Sequence, residues 1–184
     1  MAGRIWTISN SISAFRVALV IPLGITLLGE SETDRTWAVV IIVAGILSDF
    51  LDGYLARALH QVSEVGKVID PIADKIGIGA LVVFLVLLED IPLWYALVVL
   101  VRDLLIVIGG VYIKKKKKIV AQSNWPGKIA VGMVAAYLLL SVPRLENLEM
   151  LRLLALWLSL VTMGFSLVVY AQRLLIGRAV DRRI

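Results

Sequence analysis

Long uninterrupted apolar runs dominate the chain, separated by short charged or glycine- and proline-bearing stretches. Six runs stand out, at approximately 12–29, 36–57, 66–88, 91–113, 127–143 and 151–176. Each is close to the roughly 20 residues that carry a helix across a bilayer core. The runs are continuously apolar rather than alternating, which argues against barrel strands. In lipid the backbone must satisfy its own hydrogen bonds, and a helix does so within one segment. The pattern predicts an all-α, polytopic membrane protein with six transmembrane helices in a single domain over residues 1–184, without repeat or long linker. Before the first run, R-I-W-T-I-S-N-S-I-S-A-F-R sets Trp6 and Phe15 between Arg4 and Arg16. It reads as a short interfacial segment on the membrane surface. Asn10, Ser11 and Ser13 within it are equally well read as helix caps.

Composition sharpens this picture. The chain is 60% hydrophobic with a mean hydropathy of +0.91, far above a soluble domain. It has no cysteine and a single histidine, His60, so disulfide chemistry, a zinc site of the usual kind and a Ser-His-Asp mechanism all lack their parts. The net charge of +5 reads as membrane orientation and anionic lipid rather than nucleic acid. The first run lacks a small-residue cleavage site and is followed by further spans, so no cleavable signal peptide is expected.

The loops sort by charge. One side carries Arg4, Arg16, Arg57, Lys67, Lys114 to Lys118, Arg173, Arg178, Arg182 and Arg183. The other carries Glu30, Glu32, Asp34, Glu89, Asp90, Arg144, Glu146, Glu149 and Arg152. Basic residues accumulate on the cytoplasmic side, which places both termini in the cytoplasm of a cell whose inner or plasma membrane holds the protein. The run Lys114–Lys118 fits this sorting, and it also attracts anionic headgroups or phosphorylated substrates.

Four carboxylates break the apolar pattern. Asp49, Asp52, Asp70 and Asp74 fall within 26 residues. Charges at membrane depth are costly unless they line a polar cavity and have partners. Divalent cations are the natural partners, since carboxylate oxygens are the hard ligands that Mg²⁺, Mn²⁺ and Ca²⁺ prefer. A spacing of three puts Asp49 and Asp52 on one helix face, and a spacing of four does the same for Asp70 and Asp74. Both pairs lie at the cytoplasmic ends of neighbouring spans. Pro71 is expected either to open the third helix or to kink it. Gly53, Ala56 and Gly66 leave a groove in which a substrate can approach the backbone. Arg57 is suited to phosphate, with interfacial snorkelling as the alternative. Together these residues point to phosphate chemistry.

Taken together, D-x-x-D-G-x-x-A-R-x(8)-G-x-x-x-D-x-x-x-D is present without a gap as Asp49, Asp52, Gly53, Ala56, Arg57, Gly66, Asp70 and Asp74. It resembles the signature of the CDP-alcohol phosphatidyltransferases. Span count and length are similar too. The resemblance implies that the four aspartates bind two divalent ions, Mg²⁺ or Mn²⁺, which hold the diphosphate of CDP-diacylglycerol. It implies bridging roles for Asp49 and Asp70, single-metal roles for Asp52 and Asp74, and a second role for Asp74 as the base. Gly53, Ala56, Arg57 and Gly66 would meet the CDP-lipid, with Asn10 and Ser63 beside them. The V-I-D-P-I-A-D-K stretch, Arg102-Asp103 and Gly127-Lys128 resemble the branch whose acceptor is glycerol 3-phosphate. Lys75, Arg102 and Lys128 are then the acceptor-binding candidates. The chain departs from that branch after Lys128, reading Ile129-Ala130-Val131 in place of a further lysine and a threonine. Inositol phosphate, serine and phosphatidylglycerol therefore stay open as acceptors. Membrane lipids are expected partners, and a homodimer is compatible with the reading. A cation channel or transporter would also use intramembrane aspartates, but it has no need of the glycines, Ala56 and Arg57 at these spacings.

Overall fold

The computed structural model describes residues 15, 17–29, 31–58, 66–117 and 125–176, with the backbone alone at 49–58, 66–75, 111–117 and 173–176. Among these residues the protein is all helical: α1 Val20–Leu28, α2 Glu32–Ala58, α3 Gly66–Leu87, α4 Leu93–Lys117, α5 Trp125–Ser141 and α6 Glu149–Ile176, with a 3₁₀ turn at Glu146–Leu148. Two stretches are long and apolar enough to cross a membrane, Leu93–Gly110 and Glu146–Gln172, while Ile76–Leu87 and Trp125–Ser141 are shorter apolar helices. Large apolar side chains stand exposed along them, among them Leu100, Trp157, Val161 and Phe165, a surface suited to lipid rather than water.

The six helices fall on the six apolar runs, α1 covering only Val20–Leu28 of the first, and the ends of α2 and α4 differ where local chemistry outweighs hydropathy. Helix α2 starts four residues before its apolar run. The Ser31 hydroxyl accepts the Asp34 N–H at 3.1 Å, and the Asp34 carboxylate accepts the Ser31 N–H at 3.3 Å. This reciprocal pair satisfies the open N–H groups of the first turn. Helix α4 continues four residues past its run into the lysines, which favour helix and suit the negative end of the dipole. Helix α3 runs unbroken from Gly66 through Pro71, so Pro71 does not open it.

The chain divides into two compact units, Met1–Asp90 with Val142–Arg144, and Ile91–Ser141 with Leu145–Ile184. In the first, α1 packs on α2 and α3. Gly24 permits this approach, because a Cβ there would lie 2.8 Å from the Phe84 ring. Helix α3 ends with Asp90 N–H bonded to Leu85 O at 2.8 Å and Glu89 N–H to Val86 O at 3.1 Å. Glu89 takes the left-handed conformation (φ 58°) at the position where glycine is usual. That turn delivers Asp90 to two guanidinium groups. Arg35 Nη1 donates to its Oδ2 at 2.6 Å and Arg144 Nε to its Oδ1. Arg35 also reaches Val142 O, and Arg144 donates to Leu88 O at 2.7 Å. Three distant segments of the chain meet on one buried carboxylate.

In the second unit α5 and α6 pack along their length, with α4 on α6. Three hydrogen bonds set the register of α4 and α6. Tyr95 Oη pairs with Ser159 Oγ at 2.8 Å, Arg102 Nη2 donates to Ser166 Oγ at 3.2 Å, and Tyr170 Oη donates to Ile106 O at 3.1 Å. Each joins residues 64 apart, so the two helices run parallel at one offset. Gly110 gives room to the Tyr170 hydroxyl, and the Tyr95 ring meets Tyr137 of α5 edge-on at 4.5 Å. These polar groups lie within apolar helices, and pairing them removes the penalty of burial.

Candidate active site

The aspartate motif falls on the last ten residues of α2 and the first nine of α3, both in the first unit. A helix turns about 100° per residue. Asp49, Asp52, Gly53, Ala56 and Arg57 stand at i, i+3, i+4, i+7 and i+8, which is one stripe of α2. Gly66, Asp70 and Asp74 follow at steps of four and drift only about 40° each time, forming a second stripe at the start of α3. The two stripes sit at the ends of their helices that the seven residues 59–65 join. Helical continuity through both stripes is what gathers residues spread over 26 positions into two rows. Had either helix broken at Gly53 or Pro71, its row would have been lost.

The donor set in these rows is four carboxylates with one guanidinium nearby. It suits a hard divalent cation and offers nothing to a soft one. Among the described side chains, no group of three or more carboxylate or imidazole ligands assembles; the side chains of Asp49, Asp52, Asp70 and Asp74 lie outside them. Asn10 and Ser63 lie outside the described residues, as does His60; Lys75 follows Asp74 on α3.

Arg102 and Lys128 belong to the second unit. Arg102 is buried in α4. Its Nη1 meets Asp103 Oδ1 at 2.7 Å and its Nη2 meets Ser166, while its Nε has no hydrogen-bond partner among the described residues. A buried guanidinium with a donor unspent is an electrostatic reserve for an anion. Lys128, by contrast, is exposed, with its ammonium 5.7 Å from the centre of the Trp125 ring, an arrangement that serves interfacial anchoring as readily as ligand binding. Sequence reasoning missed Ser166 as the partner of Arg102. The signal was present, since Ser159 and Ser166 repeat at seven in an otherwise apolar helix.

Comparison with known proteins agrees with the motif. The model of the CDP-alcohol phosphatidyltransferase family matches residues 6–168. The chain is 35% identical over 132 residues to a protein of Streptomyces coelicolor named cardiolipin synthase (CMP-forming), covering 69% of this chain and 60% of that one. It is 31% identical over 97 residues to the CDP-diacylglycerol--glycerol-3-phosphate 3-phosphatidyltransferase of Rickettsia bellii, covering 53% and 54%. A probable phosphatidylglycerophosphate synthase of Mycobacterium tuberculosis is 30% identical over 130 residues, covering 69% and 61%. The matched regions thus span a little over half the length of these relatives.

Proposed function

Because the chain belongs to the CDP-alcohol phosphatidyltransferase family, we propose that it is a phospholipid-synthesising enzyme that moves the phosphatidyl group of CDP-diacylglycerol to an alcohol and releases CMP. The observation that carries this reading is the complete eight-position motif laid along one stripe of α2 and one of α3. Asp49, Asp52, Asp70 and Asp74 would hold two divalent cations, Mg²⁺ or Mn²⁺. When bound, such ions neutralise charge on the diphosphate and on the phosphoryl oxygens.

The protein's own residues do the rest. Gly53 and Ala56 open the α2 stripe to the cytidine diphosphate, with Gly66 facing the same task on α3 and Asn10 and Ser63 assisting. Arg57, one turn past Gly53, supplies a fork of donors to the diphosphate and steadies the leaving CMP. Asp74 takes the proton of the acceptor hydroxyl as its oxygen bonds to the lipid-linked β-phosphorus. The bond from that phosphorus to the bridging oxygen breaks, and the electron pair leaves with CMP. No covalent enzyme intermediate is needed. Replacing Arg57 by lysine keeps the charge and removes the fork. The KM for CDP-diacylglycerol is then expected to rise about tenfold, as when one charge-assisted hydrogen bond is lost. An unchanged KM would make Arg57 an interfacial anchor.

The acceptor is glycerol 3-phosphate, with Lys75, Arg102 and Lys128 as candidate contacts for its phosphate. The Rickettsia bellii relative named for that acceptor supports it, and the unspent donor of Arg102 suits an anion. A second reading takes phosphatidylglycerol as acceptor, and the 35% identity to a protein named cardiolipin synthase favours it. In the membrane the protein is multi-pass, with six spans and with both termini and the site cytoplasmic. The parallel run of α4 and α6 supports an up-and-down order.

The test is CMP release by the full chain in detergent, with CDP-diacylglycerol, Mg²⁺ or Mn²⁺ and a panel of acceptors. Turnover with glycerol 3-phosphate is expected. Turnover with phosphatidylglycerol, inositol phosphate or serine alone would reassign the acceptor. No CMP release with any acceptor would overturn the activity itself.

A further inference from the structure

We propose that Ser166 of α6 is a positioning residue for the acceptor: its hydroxyl fixes the plane of the Arg102 guanidinium, and Arg102 in turn holds the phosphate that the acceptor carries. The proposal rests on the phosphatidyl-transfer reading above and adds a residue to it. Both side chains are buried, and both belong to the second unit.

A serine in an apolar helix usually turns its hydroxyl back to a carbonyl one turn earlier. Ser141 donates to Tyr137 O at 2.8 Å, Ser159 to Leu156 O at 2.7 Å and Thr162 to Leu158 O at 2.7 Å. Ser166 makes no such bond among the described residues. Its oxygen instead accepts from Arg102 Nη2 at 3.2 Å. The register of α4 and α6 does not require that bond. Tyr95 with Ser159 sets the register two turns before it, and Tyr170 with Ile106 O sets it one turn after. Ser166 therefore stands on a stretch of α6 held from both sides, which makes it a fixed anchor for a side chain of α4.

That side chain is the only Lys or Arg between Leu93 and Ile113. A guanidinium in the middle of an apolar span is costly and marks a functional position. Asp103, 60% exposed, offsets its charge and holds Nη1 at 2.7 Å. One anchor would leave the guanidinium free to turn about the contact. Two anchors, one on each terminal nitrogen, set its plane and so the direction of the Nε–H, which is buried and unspent. A structural arginine would be expected to close its buried donor. A donor held in place in advance costs no ordering when an anion arrives, and the planar fork matches phosphate. The donor diphosphate is already assigned to the metal ligands and Arg57. Glycerol 3-phosphate and phosphatidylglycerol each bring a further phosphate, and Arg102 fits that group.

The test measures CMP release by the full chain in detergent, with CDP-diacylglycerol, Mg²⁺ and the phosphate-bearing acceptor that wild type uses. Ser166→Ala is expected to raise the acceptor KM about tenfold, as when a hydrogen bond to a charged group is lost. The kcat and the donor KM should stay within about twofold, since only acceptor binding is weakened. Ser166→Thr keeps the hydroxyl and should remain within about threefold of wild type. Ser166→Cys fills the same space with a poor partner, and it should repeat the alanine result without opening a cavity. Adding Ser166→Ala to Arg102→Gln should raise the acceptor KM no further than Arg102→Gln alone, because the serine acts through the guanidinium. Ser159→Ala, which removes the neighbouring register bond, should leave the acceptor KM within about twofold. An acceptor KM unchanged in both the alanine and cysteine variants, a rise shared with the donor KM, an additive double variant, or an equal rise from Ser159→Ala would each overturn the proposal and leave the phosphatidyl-transfer reading in place. CMP release by wild type with serine alone, which carries no phosphate, would do the same. No CMP release with any acceptor would overturn that reading and the proposal together.

Discussion

Replacing Asp49 or Asp70 by asparagine is expected to lower CMP release by more than about a hundredfold, because loss of a partner one shell further out already costs 10–100-fold in metal sites. Asparagine keeps the size and one oxygen but removes the charge that offsets a divalent cation. These two positions should show the largest effect, since each is proposed to serve both ions. Chelation of the wild type should reproduce the loss and added Mg²⁺ or Mn²⁺ should reverse it, whereas the asparagine variants should stay inactive at any ordinary metal concentration. Glu149→Gln is the control. Glu149 pairs with Arg152 at the start of α6, and an exposed pair of this kind contributes little, so CMP release should hold within about twofold. Near-wild-type turnover by either asparagine variant would remove the two-metal reading.

Removing the Asp90 side chain is expected to be the most damaging change to stability. Its carboxylate is 2% exposed and Arg35 is 8% exposed. Truncation leaves a buried guanidinium without its counter-charge, which costs about 3–5 kcal/mol. For a chain of this size that is a fall of roughly 10 °C in the melting temperature. Arg35→Ala should cost nearly as much. Arg144→Ala should cost less, because the Arg144 side chain is 51% exposed and water softens the loss. The double change Arg35→Met with Asp90→Leu should recover much of the deficit, since apolar groups of similar size can replace a buried pair. Thermal unfolding of purified protein in detergent measures all four. An Asp90→Ala variant melting within about two degrees of wild type would show that the cluster does not hold the first unit together.

The same cluster marks the boundary of what a linear reading reaches. Helix count, helix placement and the aspartate rows were legible because each depends on local spacing. Twenty apolar residues mean a helix in lipid, and intervals of three and four mean a shared face, whatever the rest of the chain does. Asp49, Asp52, Gly53, Ala56, Arg57, Gly66, Asp70 and Asp74 carry their relation in their numbering, provided α2 and α3 stay continuous, and they do. Helix ends were less legible. Hydropathy reports where oil gives way to water, whereas the backbone ends where its hydrogen bonds are capped, as Ser31 and Asp34 do early for α2, and α4 runs on past its apolar stretch into the lysines.

Only the tertiary structure decided the long-range pairings. Arg35, Asp90 and Arg144 lie 55 and 54 positions apart, and by sequence Asp90 and Arg144 were simply loop charges. The shared offset that sets Tyr95 on Ser159 and Arg102 on Ser166 is likewise invisible in either helix alone. Sequence determines which groups are too costly to leave unpaired in a low-dielectric setting. Which partner meets each of them is settled by packing, because contacts between distant segments depend on the rotation and axial shift of whole helices, and no local interval encodes those.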